Sequence, residues 1–283
     1  ENGNINLLQS AVMNSDVVFV ENENKIKSDA PPEFISQNVG TILLDNAEKL
    51  AELGSGIDNS IWDPSTDRYL QSTYDIDCVS KKKDNKKSFL ADLEMEYNPR
   101  TPLIYMSALP GKSDECEKVL KSIPDILELG VHFILLSKNS NGNSEKFVEF
   151  NKKYPKKFLF KEQYDKGFAH ELMASADFYL APAWEEPIIS NHLISLKYGT
   201  IPVVTAEEGF FETIKDYSKS SKNATGFIFN GTDDNGIINT LQSALELYQN
   251  AEKWENLIKN AMKQDYSWHS VGPKYIEMMS EFF

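Results

Sequence analysis

The stretch Thr101–Ser137, "TPLIYMSALPGKSDECEKVLKSIPDILELGVHFILLS", decides the fold. Two short, continuously apolar runs, "PLIYMSAL" and "VHFILLS", enclose an amphipathic segment, "KSDECEKVLKSIPDILELG", with Gly130 as its stop. Runs apolar at every position are strands buried on both faces, and strands of that kind separated by helices form a parallel sheet covered on both sides. The alternation continues downstream. "SEKFVEFNKKYP" is predicted as a helix and "KFLFKE" as a strand, then "KGFAHELMASA" and "DFYLAPA", "SNHLISLKYG" and "IPVVTA", and finally "ATGFIFNG". Residues from about 80 to 260 therefore read as a doubly wound α/β domain. In such domains ligands sit at the carboxyl ends of the strands, so the informative loops follow Met106, Leu136, Phe160, Leu180 and Val204.

Outward from this block the pattern weakens. Residues 1–20 are predicted as a helix, "INLLQSAVMNSD", and a strand, "VVFV"; residues 21–40, with Pro31-Pro32, are predicted as a loop. "DPSTDRYLQSTYDID" has turn residues and few periodic apolar positions, and reads as an extended surface connection. The helix "SKKKDNKKSFLADLEME" begins with a basic run expected to be a solvated face. Two helical stretches close the chain, "NGIINTLQSALELYQNAEKWENLIKNAMKQ", with a break, and "WHSVGPKYIEMMSEFF".

Composition narrows the function classes. The chain has 283 residues with 41% hydrophobic content, enough for a real core. Its net charge of −14 argues against nucleic acid and against anionic membrane surfaces as general partners, while leaving room for a nucleotide in a local pocket. No apolar run approaches the roughly 20 residues of a bilayer span, so no membrane insertion is expected. No signal peptide is visible, although the chain opens at Glu1. Cys78 and Cys116 are read as reduced thiols. No metal site or cofactor is expected.

The order of these elements and several strings resemble the C-terminal half of bacterial glycogen synthases and plant starch synthases. "SGIDNSIWDPSTDRYL" resembles that family's hinge, of the form NGID-x-x-x-W-x-P-x-x-D. "ELMASADFYLAPAWEEP" resembles its A-x-A-D-x-x-L-x-P-S-x-x-E-P segment, and "LKYGTIPVV", "ATGFIFNG" and "AMKQDYSWHSVGPKYIEMM" resemble its later strings. The resemblance implies a GT-B type α/β fold, in which a Rossmann-like doubly wound parallel sheet with C-terminal helices faces a second such domain. It implies retaining glucosyl transfer from a nucleotide sugar. The expected divisions are 1–58 as the end of an acceptor domain with the hinge, 59–260 as the nucleotide-sugar domain, and 261–283 as a closing helix.

The chemistry says which positions matter. Transfer of glucose from a nucleoside diphosphate leaves a diphosphate dianion, which cations and backbone N–H groups must stabilise. Where the family has S-R-L-x-x-Q-K-G, this chain has "SALPGKSD". Ser107 is retained, Ala108 stands for the Arg, Ser113 for the Lys, and Lys112 is one residue from the lysine position. Lys112 is either a displaced phosphate ligand or a solvated loop lysine. Where the family has E-P-C-G-L-T-Q, this chain has "EPIISNH". Glu186 keeps the acidic position, Ile189 replaces a Gly, Asn191 replaces a Thr and His192 a Gln. A β-branched Ile narrows the backbone approach to a phosphate that Gly allows. Glu207, Glu208 and Phe210 occupy a loop that is basic and Gly-rich in the family. Tyr164 stands where the family places a Tyr against the nucleotide base, and is otherwise an ordinary half-buried tyrosine.

The candidate nucleotide-sugar residues are thus Glu186, Tyr164, Lys112, Ser107 and Asn191, with no residue assigned a catalytic role. Scaffold strings persist while donor-phosphate positions are changed in several loops. The expectation is a degenerate glycosyltransferase domain with a binding or assembly role, its partners ADP or ADP-glucose, an α-glucan, or a protein in a larger complex. The alternative is an active ADP-glucose or UDP-glucose α-glucan synthase whose acceptor domain is not in this chain. The resemblance implies a bacterial cytoplasm or a plastid stroma as the compartment.

Overall fold

The computed structural model describes residues 6–20, 37–107, 114–136, 144–181, 191–206, 213–230 and 235–281. The chain divides into two compact units, Glu1–Gly56 with Tyr266–Phe283, and Ile57–Asp265.

The smaller unit begins with α1 (Leu7–Asn14), whose cap Asn6 accepts a hydrogen bond from the Gln9 N–H at 3.1 Å. Strand β1 (Val18–Val20), helix α2 (Gln37–Leu44) and strand β2 (Leu50–Glu52) follow. The two strands run parallel, with Val18 opposite Leu50. Val12, Ile42 and Leu43 make a small core against which Val18, Val20 and Leu50 pack. Lys49 Nζ donates to Met13 O at 2.8 Å, placing a cation on the carbonyl end of α1. The unit therefore holds more of a βαβ layer than the single helix and strand expected from residues 1–20, and residues 37–40 are helical rather than loop.

The larger unit opens with α3 (Lys82–Asp92), then β3 (Leu103–Ser107), α4 (Asp114–Glu128), β4 (His132–Leu136), α5 (Ser144–Lys153), β5 (Phe158–Lys161), α6 (Lys166–Ser175), β6 (Phe178–Ala181), α7 (Asn191–Lys197), β7 (Ile201–Thr205), β8 (Phe227–Phe229), α8 (Gly236–Tyr248) and α9 (Ala251–Met262). Helix α10 (Trp268–Ser280) returns to the smaller unit, where Tyr275 donates to Leu53 O at 3.2 Å. The sheet order is β5-β4-β3-β6-β7-β8, with every neighbouring pair parallel. The chain thus starts in the middle, builds outward to β5, then restarts at β6 on the other side of β3. Ile104, Phe133, Ile134, Phe178, Ile201 and Val203 are fully buried, as continuous apolar strands require. Gly130 ends α4 in the left-handed region, at φ +79.

Two sequence expectations hold only in part. The basic start of α3 is a solvated face on one side only: Lys81, Lys83 and Lys87 are exposed, whereas Lys82 and Lys86 are not. Lys82, Asn85, Lys86, Phe89 and Leu90 are buried and follow one another at helical spacing, so the inward stripe is partly polar. Lys82 Nζ donates to Ala174 O and Thr200 Oγ1, each at 2.8 Å, and Lys86 Nζ bonds Asp177. A buried ammonium is tolerated where acceptors surround it. The segment 63–78 does run without helix or strand and is mostly exposed or half-buried, but it is anchored inward, for Asp67 and Tyr74 are buried. The partners that draw them inward, His170 and Tyr198, lie over a hundred residues away, so local periodicity carries no trace of them.

Candidate functional site

The strand order reverses between β3 and β6, and the carboxyl ends of these two strands, at Ser107 and Ala181, open the crevice where doubly wound domains take ligands. Ser107 is the last residue of β3. Tyr164 lies in the short connection from β5 to α6, just before Asp165, which caps α6 by accepting the Phe168 N–H at 2.8 Å. The Tyr164 side chain hydrogen-bonds that of Ser107. Burial pushes the Tyr164 hydroxyl above its ordinary value of 10.0 and the Ser107 bond opposes this, so the group stays a neutral phenol near pH 7. The Tyr164 ring lies 6.5 Å from Phe168, whose other neighbours are Phe89 at 5.2 Å and the Lys161 ammonium, 3.9 Å from the ring centre. An aromatic cluster thus lies beside a tyrosine whose hydroxyl is hydrogen-bonded by a β3 hydroxyl.

Asn191 begins α7 and is buried, as is His192 beside it. Ser107 and Tyr164 are therefore brought together, and Asn191 stands at the start of the helix that follows β6. Lys112 and Glu186 lie outside the described residues, as do Ala108, Ser113, Ile189, Glu207, Glu208 and Phe210. Among the described residues no group of three or more His, Cys, Asp or Glu could hold a metal ion, and no helix is long and apolar enough to cross a membrane.

Sequence reasoning missed a second constellation behind this crevice. Asp67 Oδ2 accepts from His170 Nδ1 at 2.7 Å and from the Tyr198 hydroxyl at 2.6 Å, while Oδ1 accepts the Tyr69 N–H at 3.0 Å. Burial pushes the Asp67 carboxyl up, but these hydrogen bonds and His170 outweigh it, and the group titrates below 3.8. The Trp62 indole lies flat on the His170 ring at 3.9 Å and 7°. Tyr74 donates to Tyr198 O at 2.7 Å, and Lys197 pairs with Asp63 at 3.0 Å. The available signal was aromatic density: Trp62, Tyr69 and Tyr74 are more rings than a solvated connection needs.

No family model matches the chain. A glycogen synthase of Bacillus cereus is 30% identical over 267 residues, covering 94% of this chain and 56% of that protein. One from Pseudothermotoga lettingae is 29% identical over 280 residues, covering 99% and 57%. The chain thus spans a little over half the length of these relatives. Among solved structures, the catalytic domain of starch synthase IV from Arabidopsis thaliana, bound to ADP and acarbose, superposes with a TM-score of 0.85 at 22% identity, covering 97% of this chain and 57% of that one. A sucrose-phosphate synthase from Thermosynechococcus elongatus superposes with a TM-score of 0.62 at 14% identity, covering 97% and 60%. At these identities the solved structures establish the fold, which is of the GT-B type, with a doubly wound parallel sheet and flanking helices.

Proposed function

We propose, from the premise that this chain is a homologue of the glycogen synthases over nearly its whole length, that Ile57–Asp265 is a nucleotide-sugar-binding domain of an α-glucan glucosyltransferase type. The observation that carries the reading is the pairing of Ser107 with Tyr164 at the topological switch point. A neutral, supported tyrosine there offers a flat face to a nucleobase, and the β3 end leads to where a diphosphate would lie. ADP or ADP-glucose is the proposed ligand, with Lys112, Glu186 and Asn191 on its phosphate and sugar side. The smaller unit is proposed as the end of an acceptor domain for an α-glucan.

The donor chemistry is proposed to be weakened, leaving binding or assembly with a protein partner as the role. Ala108 in place of an Arg removes a charge-assisted contact to a leaving diphosphate, a loss of about 3 kcal/mol of transition-state stabilisation. Ile189 in place of a Gly would narrow the backbone approach. The deciding experiment is glucosyl transfer from ADP-glucose to maltoheptaose by the full-length protein, beside calorimetric titration of this chain with ADP. Nucleotide binding with no measurable transfer is expected; robust transfer overturns the weakened-chemistry reading. The second reading, an active synthase, is favoured by the retained Ser107–Tyr164 pair, and robust transfer abolished by Glu186→Ala and by Lys112→Ala establishes it.

A further inference from the structure

One carboxylate oxygen joins two helices that lead away from opposite sides of the crevice. Helix α6 begins just after Tyr164 and carries His170 in its second turn; helix α7 begins at Asn191 and is followed directly by Tyr198. Both His170 Nδ1 and the Tyr198 hydroxyl converge on Asp67 Oδ2. Strands β5 and β6, which precede these helices, are not neighbours in the sheet, since β4 and β3 lie between them. The sheet's hydrogen bonds therefore do not directly fix one helix against the other, whereas Asp67 does.

The rest of the segment repeats the grip. On the α6 side, Trp62 and Tyr69 pack on His170 at 3.9 and 4.8 Å. Gly167 admits Tyr69, for a Cβ there would lie 3.2 Å from the ring. On the α7 side, Asp63 pairs with Lys197 and Tyr74 donates to Tyr198 O. Asp67 is 6% exposed and both of its oxygens are engaged, so it has no means of touching a ligand itself.

We infer that Asp67 is a positioning residue that sets the placement of Tyr164 relative to Asn191, and with it the spacing between the base-binding and phosphate-binding parts of a nucleoside-diphosphate site. The ligand half of this inference rests on the nucleotide reading above. Asp67 bridges two helices, and they are the two that follow candidate ligand loops.

The test compares Asp67→Asn, which disturbs both arms, with Tyr198→Phe, which cuts only the α7 arm. Amide hydrogen exchange is followed in the ligand-free chain, and AMP and ADP are titrated by calorimetry. Tyr198→Phe is expected to speed exchange within 191–198 alone. Asp67→Asn is expected to speed it within both 164–170 and 191–198, with β3, β4 and β6 unchanged. ADP affinity is expected to fall about tenfold in either variant while AMP affinity holds, because the base half remains and its alignment with the phosphate half is lost. Uniform loosening across the sheet, or AMP and ADP weakened by one common factor, overturns the inference in favour of a structural pin. If the unaltered chain binds neither nucleotide, the nucleotide reading falls, and exchange alone decides the positioning claim. Paired, local loosening then upholds it; uniform or absent loosening overturns it.

Discussion

Lys86 Nζ lies 2.5 Å from Asp177 Oδ2 across a separation of 91 residues, with both side chains nearly closed to solvent. The same carboxylate oxygen accepts the Leu103 N–H at 2.8 Å, at the first residue of β3, and the Asp177 carbonyl accepts the Ile201 N–H at the start of β7. Lys86 also donates to Thr101 O at 2.7 Å. One ion pair thus joins α3 to the amino-terminal edge of the sheet, opposite the crevice. Removing one partner leaves the other charged and buried. Lys86→Met is expected to cost about 3–5 kcal/mol, read as a lower denaturation midpoint at unchanged slope. Asp177→Asn retains an acceptor for Leu103 and is expected to cost less.

Lys82 gives stability a pH dependence of defined sign. Burial lowers its pKa from 10.5 to about 7; Asp177 opposes this and Lys86 adds to it. Between about 7 and 10.5 the unfolded chain then binds more protons than the folded one, so Lys82 makes stability rise with pH across that window. Lys82→Met is expected to remove this slope, which is at most about 1.4 kcal/mol per pH unit. Subtracting the stability–pH curves of parent and variant isolates it. A difference curve flat from pH 7 to 10 would count against a depressed Lys82.

Three glycines should separate by sign. Gly226→Ala places a Cβ 2.6 Å from Pro202 O, a backbone atom with little freedom to move. Gly199→Ala meets Ile258 at 2.6 Å and must hold φ +63. Both are expected to destabilise by about 1–3 kcal/mol, with Gly226 the costlier. Gly272 lies inside α10 with nothing outside its own neighbourhood within 4 Å of a Cβ, but Pro273 follows and disfavours helical φ/ψ for a residue with a Cβ, so Gly272→Ala is expected to stabilise by no more than about 0.5 kcal/mol. Thermal melts of the three variants check the order.

At the crevice, the Tyr164 ring is expected to matter more than its hydroxyl. Tyr164→Ala should weaken ADP by about 1–3 kcal/mol, the range for a base stacked on an aromatic ring. Tyr164→Phe and Ser107→Ala each keep the ring and lose only the bond between them, so both should weaken ADP less and by similar amounts. Equal losses for Tyr164→Ala and Tyr164→Phe would assign the contribution to the hydroxyl.

Acid should act through Asp67. Its carboxyl titrates below 3.8, so its contribution is full above that pH and is lost as pH falls through the lower, folded value. Asp67→Asn is expected to blunt the loss of stability in that acid range, measured as denaturation midpoints from pH 5 downward.

The sequence by itself determined the layered α/β architecture, because continuously apolar strands such as "LIYM" and "FILL" have no stable place except inside a parallel sheet. It also pointed to the loops after Met106 and Phe160, since topology puts ligand loops at strand ends, while Ser107 and Tyr164 within them were singled out by resemblance. Tertiary structure alone decided what the polar residues do. Lys82, Lys86 and Asp67 look like surface groups in a one-dimensional reading, where charge pattern reports only a preference for water. Their burial is settled by acceptors and donors that arrive from α6, from the residue before β6 and from the residue after α7, between 91 and 131 residues away. Hydrophobic periodicity is a local property of the chain; the satisfaction of a buried charge is a property of the folded arrangement, and exists only once distant carbonyls, hydroxyls and carboxylates have been brought within hydrogen-bonding distance.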